Sequence, residues 1–350
     1  MADLLMTHDS WLDDSGPAAL VLREPLMPVE GNDGVLFPAT FAAAEDKRVF
    51  PGGYNIDTFG DEKNGKNICL IDSVGSQANR IEPIFAKKKY AELVPQVLVQ
   101  AGKREISIFE AGHRAGDALV RCSELQQELH DAFKSVLKGN CEPLAKIAPT
   151  SLVFGVWDSR DTQAKLPRLV TSTIRAYDVE KLTRSAQFVP SAEYVSEEML
   201  PEPKDKKAKD AYAERGFVHV PATGTHGGVI ANSGVRRDAT LSLTALRQLC
   251  IADDAENTRA LQRYILGLAL VAFTYNPSGY LRAGCNLVLD PEKPRELVEV
   301  HGDGRREPSG VTHDDALGFA KSAAEAFGVG EDRTVPFDKK RAKEDVKKKD

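Results

Sequence analysis

Hydrophobic residues along this chain follow two periods. Short apolar or alternating stretches have the spacing of strands, and longer ones repeat every three to four residues, as helices with one buried face do. AALVLREPL, residues 18–26, reads as a strand broken at a proline. KNICLID, residues 66–72, reads as a strand turning into a helix at SVGSQANRIEP, with Ser73 as N-cap and Pro83 as the break. Gln96 to Ala111 predicts two strands about the turn AGKR. From Asp117, the apolar positions Leu119, Val120, Leu125, Leu129, Phe133 and Leu137 predict one helix that stops at Gly139–Asn140. SLVFGVWD, from Ser151, is β-branched and aromatic and predicts a strand. The polar, basic stretch after it, RDTQAKLPRLVTSTIRAYDVEKLTR, predicts extended chain that is partly loop.

In the second half, residues 201–215 are charged and flanked by prolines, which predicts an exposed loop or a short surface helix and marks the best candidate boundary. ATGTHGGVIANSGVRRD, from Ala222, predicts a long loop or an irregular hairpin. A long helix is expected from Asp254 to Tyr275, stopped by Asn276–Pro277. Strands are expected at Leu281–Leu289 and Glu296–His301, and a last helix follows Thr312 as N-cap with Asp315 three residues on. The charged tail, 337–350, reads as disordered. Together these elements predict an α+β protein: one domain over 1–336, with an inserted segment at about 196–237.

Composition adds constraints. With 42% hydrophobic residues in 350, the chain can bury a core. Its net charge of -6 argues against a uniformly basic nucleic-acid binder. The charge is uneven, however. Residues 1–79 carry 5 Lys/Arg against 13 Asp/Glu, whereas residues 80–190 carry 17 against 13. Such asymmetry marks a binding face inside an acidic protein, or ordinary variation of a solvated surface. Cys69, Cys122, Cys141, Cys250 and Cys285 include no C-x-x-C pair, so a cysteine zinc site is not expected and buried thiols in a reducing cytoplasm are. The first residues lack the pattern of a signal peptide. The longest apolar run, Tyr264 to Tyr275, is 12 residues, short of a membrane span of about 20.

Three constellations could carry chemistry. In GSQANRIEP, Gln77, Asn79 and Arg80 offer donors to phosphate at a helix start; the alternative is a capped helix whose Arg80 pairs with a carboxylate such as Glu82. In FGVWDSRDTQAKLPR, Trp157 either stacks on a base or belongs to the core, while Arg160, Lys165, Arg168 and the later Arg175 lie in polar sequence suited to backbone contacts. In THGGV…SGVRRD, Arg236 and Arg237 could reach phosphates from a glycine-rich loop. Signals for catalysis are weaker: H-E-x-x-H, G-x-S-x-G and Walker patterns are absent, and His113 near Asp117 is the one candidate acid–base pair.

SVGSQANRIEPIF, SLVFGVWDSR, TRSAQF at 183–188 and GFVHVPATGTHGGV, spread over Asp72 to Leu249, resemble the backbone subunit of type I-U (I-G) CRISPR interference complexes, a branch of the Cas-seven family of RAMP proteins. The resemblance implies a modified RNA-recognition, ferredoxin-like core with thumb and finger insertions. It implies a non-enzymatic, cytoplasmic subunit without cofactor or metal, polymerised along CRISPR RNA and presenting the spacer to target DNA. The implied partners are other copies of itself, a large subunit, a fused Cas-five/Cas-six-like subunit and, at interference, a helicase–nuclease, with no membrane. The rivals are a RAMP-type endoribonuclease using His113 and a scaffold that binds no nucleic acid.

Overall fold

A computed structural model describes residues 2–60, 65–276 and 279–347. Its centre is a nine-stranded antiparallel sheet. In chain order the strands are β1 (Ala19–Pro28), β2 (Ile56–Phe59), β3 (Lys66–Asp72), β4 (Val170–Tyr177), β5 (Val235–Ser242), β6 (Tyr280–Arg282), β7 (Cys285–Leu289), β8 (Glu296–Val300) and β9 (Arg306–Pro308). They lie in the order β6-β7-β1-β5-β4-β3-β2, with β8 also paired to β1 and β9 to β8. The path β8-β1-β5-β4 is the ferredoxin-like order, in which the fourth strand lies beside the first and the third beside the second. Helical crossovers join the first strand to the second and the third to the fourth, so the expected α+β core is present.

The burial pattern along β5 explains why helices cover one face. Val235, Arg237, Ala239 and Leu241 are buried, and the residues between them are half-exposed. The long helix Ala255–Thr274 covers that face and is itself covered by His313–Phe327. From Tyr264 to Thr274 it is buried on every side, as an apolar run must be when sheet and helix flank it. The two helices cross closely, since a Cβ on Gly267 would lie 2.7 Å from Ala320 Cα.

Several expectations are revised. β1 runs through Pro25, which sits where its neighbour changes from β8 (last pair Arg23–Glu296) to β7 (first pair Leu26–Leu289), so a missing N–H costs least there. The helix expected from Asp117 is two, Ala118–Arg121 and Gln126–Leu137. Ser123 Oγ donates to Val120 O at 2.6 Å and accepts from Leu125 N, and this local pairing replaces helical bonds. The first half of SLVFGVWD belongs to the helix Thr150–Phe154, and only Val156–Trp157 is in a strand. Of the two readings of the glycine-rich stretch from Ala222, the irregular hairpin agrees with the structure: Val220–Ala231 pairs with Val179–Phe188, with two register shifts, in a long arm between β4 and β5. The arm runs from Val179 to Ala231, and Lys206–Glu214 in the connection between its strands is the expected surface helix. The tail expected to be disordered forms a helix, Lys339–Lys347. Of the Asn276–Pro277 stop and the tail, Pro277 and residues 348–350 lie outside the described residues.

A chain of buried polar groups crosses the seam between sheet and helices. Asp72 accepts from Ser76, Gln77, Arg80 and Arg282. Gln77 accepts from Ser172, which in turn accepts from Arg237 Nε. Arg237 pairs with Glu24 at 3.1 Å and donates to the carbonyls of Phe273 and Tyr275 at the end of the long helix. Removing Arg237 leaves the buried Glu24 only the half-exposed Arg295 at 3.2 Å and breaks the bonds to Ser172, Phe273 and Tyr275. Arg237→Ala is therefore expected to lower stability by about 3–5 kcal/mol in chemical denaturation, against under about 1 kcal/mol for the half-exposed Arg236→Ala.

Candidate nucleic-acid interface

The candidate site begins where the helix Val74–Ile81 ends. Ser73 caps this helix through Ser76 N, as the sequence predicts, and Glu82 and Pro83 open the 3-10 helix Glu82–Ala86 that follows. Glu82 is 1% exposed and meets Arg114 Nε at 2.7 Å. Arg114 adopts φ 53°, which turns its side chain inward, where Nη1 donates to Gly155 O at 3.3 Å and the guanidinium lies 5.3 Å from the Phe154 ring. One buried ion pair thus fastens the helix end to the turn that ends Thr150–Phe154. Burial pushes the Glu82 carboxyl up to about 7, against the pull of Arg114.

That turn requires glycine. Gly155 has φ 77°, and a Cβ there would stand 2.9 Å from Arg168 Cγ and 3.0 Å from Leu166 O. The close approach lets Val156–Trp157 pair with Lys165–Leu166 in a two-stranded ribbon. Beside the ribbon is a cleft of about 340 Å³, walled by Gly112, His113, Arg114, Phe154 and the segments 155–157 and 165–168. Trp157 is 57% exposed, so it is not a core residue. Lys165 Nζ lies 5.2 Å from the centroid of its ring, a cation–π contact that holds a charge beside an open aromatic face. Arg168 is exposed and anchored through Nε to Phe154 O. Arg114 Nη2 has no hydrogen-bond partner among the described residues. The cleft therefore offers a ring for a base, two exposed cations for phosphates and a buried guanidinium that adds positive potential.

The structure divides the residues singled out in the sequence into three groups. Trp157, Lys165 and Arg168 meet in the cleft. Asn79 is exposed and its Nδ2 would be 3.9 Å from a Cβ on Gly112, so it stands at the cleft's edge. Arg160 is exposed on the adjoining loop, which Asp158 holds by accepting from Thr162 N and Oγ1 and which His130 holds through Asp161 at 2.5 Å. A second group, Arg175 and Arg236, lies on the open face of the sheet as directly paired neighbours. Arg236 is held by Asp238 at 2.8 Å and by Tyr177 Oη at 2.9 Å. The third group is corrected. Gln77 and Arg237 are buried in the seam with their polar groups engaged, and cannot reach a ligand. Arg80 is held by Asp72 and by Leu281 O; its carboxylate partner is Asp72, not Glu82. The sequence reading missed Arg114. Its only signal was the neighbouring His113 and Asp117, whose contact is a carboxylate accepting from the His113 backbone N–H at 3.2 Å.

Among the described residues no cluster of His, Cys, Asp and Glu could hold a metal, and no helix is long and apolar enough to cross a membrane. Residues 20–181 match the model of a family described as CRISPR-associated protein GSU0053. The matched stretch runs from β1 to the start of the arm and includes every residue of the cleft, with Arg236 and Arg237 beyond it. Over this stretch the chain is similar to a CRISPR-associated protein. No curated protein matches the chain.

The raised Glu82 carboxyl has a stability consequence. Because the folded state binds this proton more tightly, its contribution is complete below about 4.5 and is lost as pH rises through about 7. Denaturant titrations from pH 5 to 8 should show a decline of about 2–3 kcal/mol from this group, and Glu82→Gln, which is neutral at every pH, should flatten that decline.

Proposed function

We propose that this chain is a backbone subunit of a type I CRISPR interference complex, one of several copies that line a CRISPR RNA and present its spacer to target DNA. The observation that carries the reading is the meeting of Trp157, Lys165, Arg168 and Arg114 in one cleft inside the stretch that resembles a CRISPR-associated protein. A guide must be held without its sequence being read, so contacts go to phosphate, sugar and the face of a base. An exposed ring with dispersed cations does that.

The ferredoxin-like core and the arm fit the same role. Head-to-tail contacts between copies build open filaments, and a projecting hairpin is a natural reach from one copy to the next. The large subunit, a fused Cas-five/Cas-six-like subunit and the helicase–nuclease are the partners this role calls for, in the cytoplasm. On this reading the chain holds RNA without cutting it. The endoribonuclease reading keeps one support, since His113 lines the same cleft as Lys165 and Arg168.

RNA binding by purified variants tests the proposal. Trp157→Ala is expected to weaken binding of a guide-length RNA by about 1–3 kcal/mol at any salt concentration. Lys165→Gln and Arg168→Gln should each flatten the log–log salt dependence by about 0.7. Unchanged affinity and slope in all three would refute it. Cleavage of the RNA that disappears in His113→Ala would favour the endoribonuclease instead.

A further inference from the structure

The C-terminal helix Lys339–Lys347 is charged almost throughout, yet its charges are sorted by face. The chain reaches it along a firm path: Arg333–Pro336 pairs in parallel with Val97–Gln100, Phe337 bridges to Ser123, and Asp338 N donates to Cys122 O at 2.7 Å. One face of the helix turns to the body. Arg341 Nη1 donates to Ser123 O at 2.8 Å, and Asp345 accepts from Arg121 Nη2 at 2.7 Å. The opposite face exposes Lys339, Lys340, Lys343 and Lys347, with Glu344 as its single acid.

Those lysines sit at i,i+3 and i,i+4 spacings, where like charges repel and destabilise a helix. Two of the three nearby carboxylates are used elsewhere, Asp345 on Arg121 and Asp338 in capping the helix through Lys340 N and Arg341 N, which leaves Glu344 alone against four lysines. A face of this kind is completed by an external polyanion. Its position says which one. Arg121, which grips Asp345, also lines a recess with His130, Asp158 and Asp161, beneath the loop that carries Arg160 and leads out of Trp157. Arg121 thus stands between the inward side of this helix and the loop that leads out of Trp157.

We propose that the outward lysines of the C-terminal helix are a second contact for the same RNA strand, taking phosphates next to those held at the Trp157 cleft. The inference rests on the cleft reading, and it names the bound chemistry as single-stranded phosphodiester backbone. Four released counterions at about 0.7 each set the expected size, a salt slope shallower by roughly 2 to 3.

The test uses the full chain and a fluorescently labelled, guide-length single-stranded RNA titrated from low to high salt. Three proteins are compared with the unaltered one. They carry K339Q/K340Q/K343Q/K347Q; Trp157→Ala; and, as a surface control that removes two charges on another face, K88Q/K89Q. The expected result is a flatter slope and at least about tenfold weaker binding at physiological salt for the lysine variant, with the control unchanged. If the lysine variant binds as the unaltered chain does while Trp157→Ala is weakened, the tail inference is overturned and the cleft reading stands. If neither is weakened, both fail. Equal weakening by the control also overturns the inference, because the effect is then general charge and not this face. As a check on folding, a second variant truncated after Asp338 should match the lysine variant in slope.

Discussion

The cleft depends on the buried pairing of Glu82 with Arg114. Two charges removed from water are stable only when each answers the other, and here the pair also joins segments distant in sequence. Glu82 ends the helix begun at Val74, and Arg114 reaches Gly155 O across the core. The turn at Gly155 then brings Arg168 and Leu166 against it, and the ribbon with Trp157 and Lys165 follows from that approach. Arg114 holds a left-handed backbone conformation to make the contact, a local cost offset by the pair and the carbonyl it binds.

The same economy of charge explains how an acidic chain could hold an acidic ligand. Many of its arginines are spent inside the protein. Arg237 is buried against Glu24, Arg80 and Arg282 meet Asp72, and on the open sheet face Arg23 and Arg236 meet Asp238. Among the cations left exposed are those of the cleft, the Arg160 loop and the last helix. Net charge is therefore a poor guide to this surface, and the placement of unpaired cations a better one.

Much of the fold was legible where local chemistry and tertiary packing agree. The strand Lys66–Asp72, the Ser73 cap, the hairpin about Gly102, the long helix after Asp254 and the capping box at Thr312 and Asp315 all follow from neighbours in sequence. The misreadings arise where distant partners decide. Residues 151–154 have strand composition but are helical in a fully buried setting. Between the loop and the irregular hairpin that the glycines near 224–228 left open, the partner strand Val179–Phe188 decides for the hairpin. Among the site residues, spacing located the stretches around Asn79 and Trp157 but could not tell which arginines face inward. Arg236 and Arg237 differ by one position, and a strand's alternation sends one to the open face and the other into the core. Trp157 escaped the core because the helix before it stops at Gly155, and Arg114 went unnoticed because its role depends on Glu82, far away along the chain.

The most direct test of the account is to locate the RNA contact by photochemistry. The chain would be co-expressed with a CRISPR array and its neighbouring subunits, the assembly irradiated, and crosslinked peptides identified by mass spectrometry. The account predicts a discrete guide-length RNA crosslinked within Val156–Arg168, centred on Trp157, with several protein copies per RNA. An assembly with guide RNA crosslinked only at other surfaces, or a chain recovered free of nucleic acid while its partners are soluble, would contradict it.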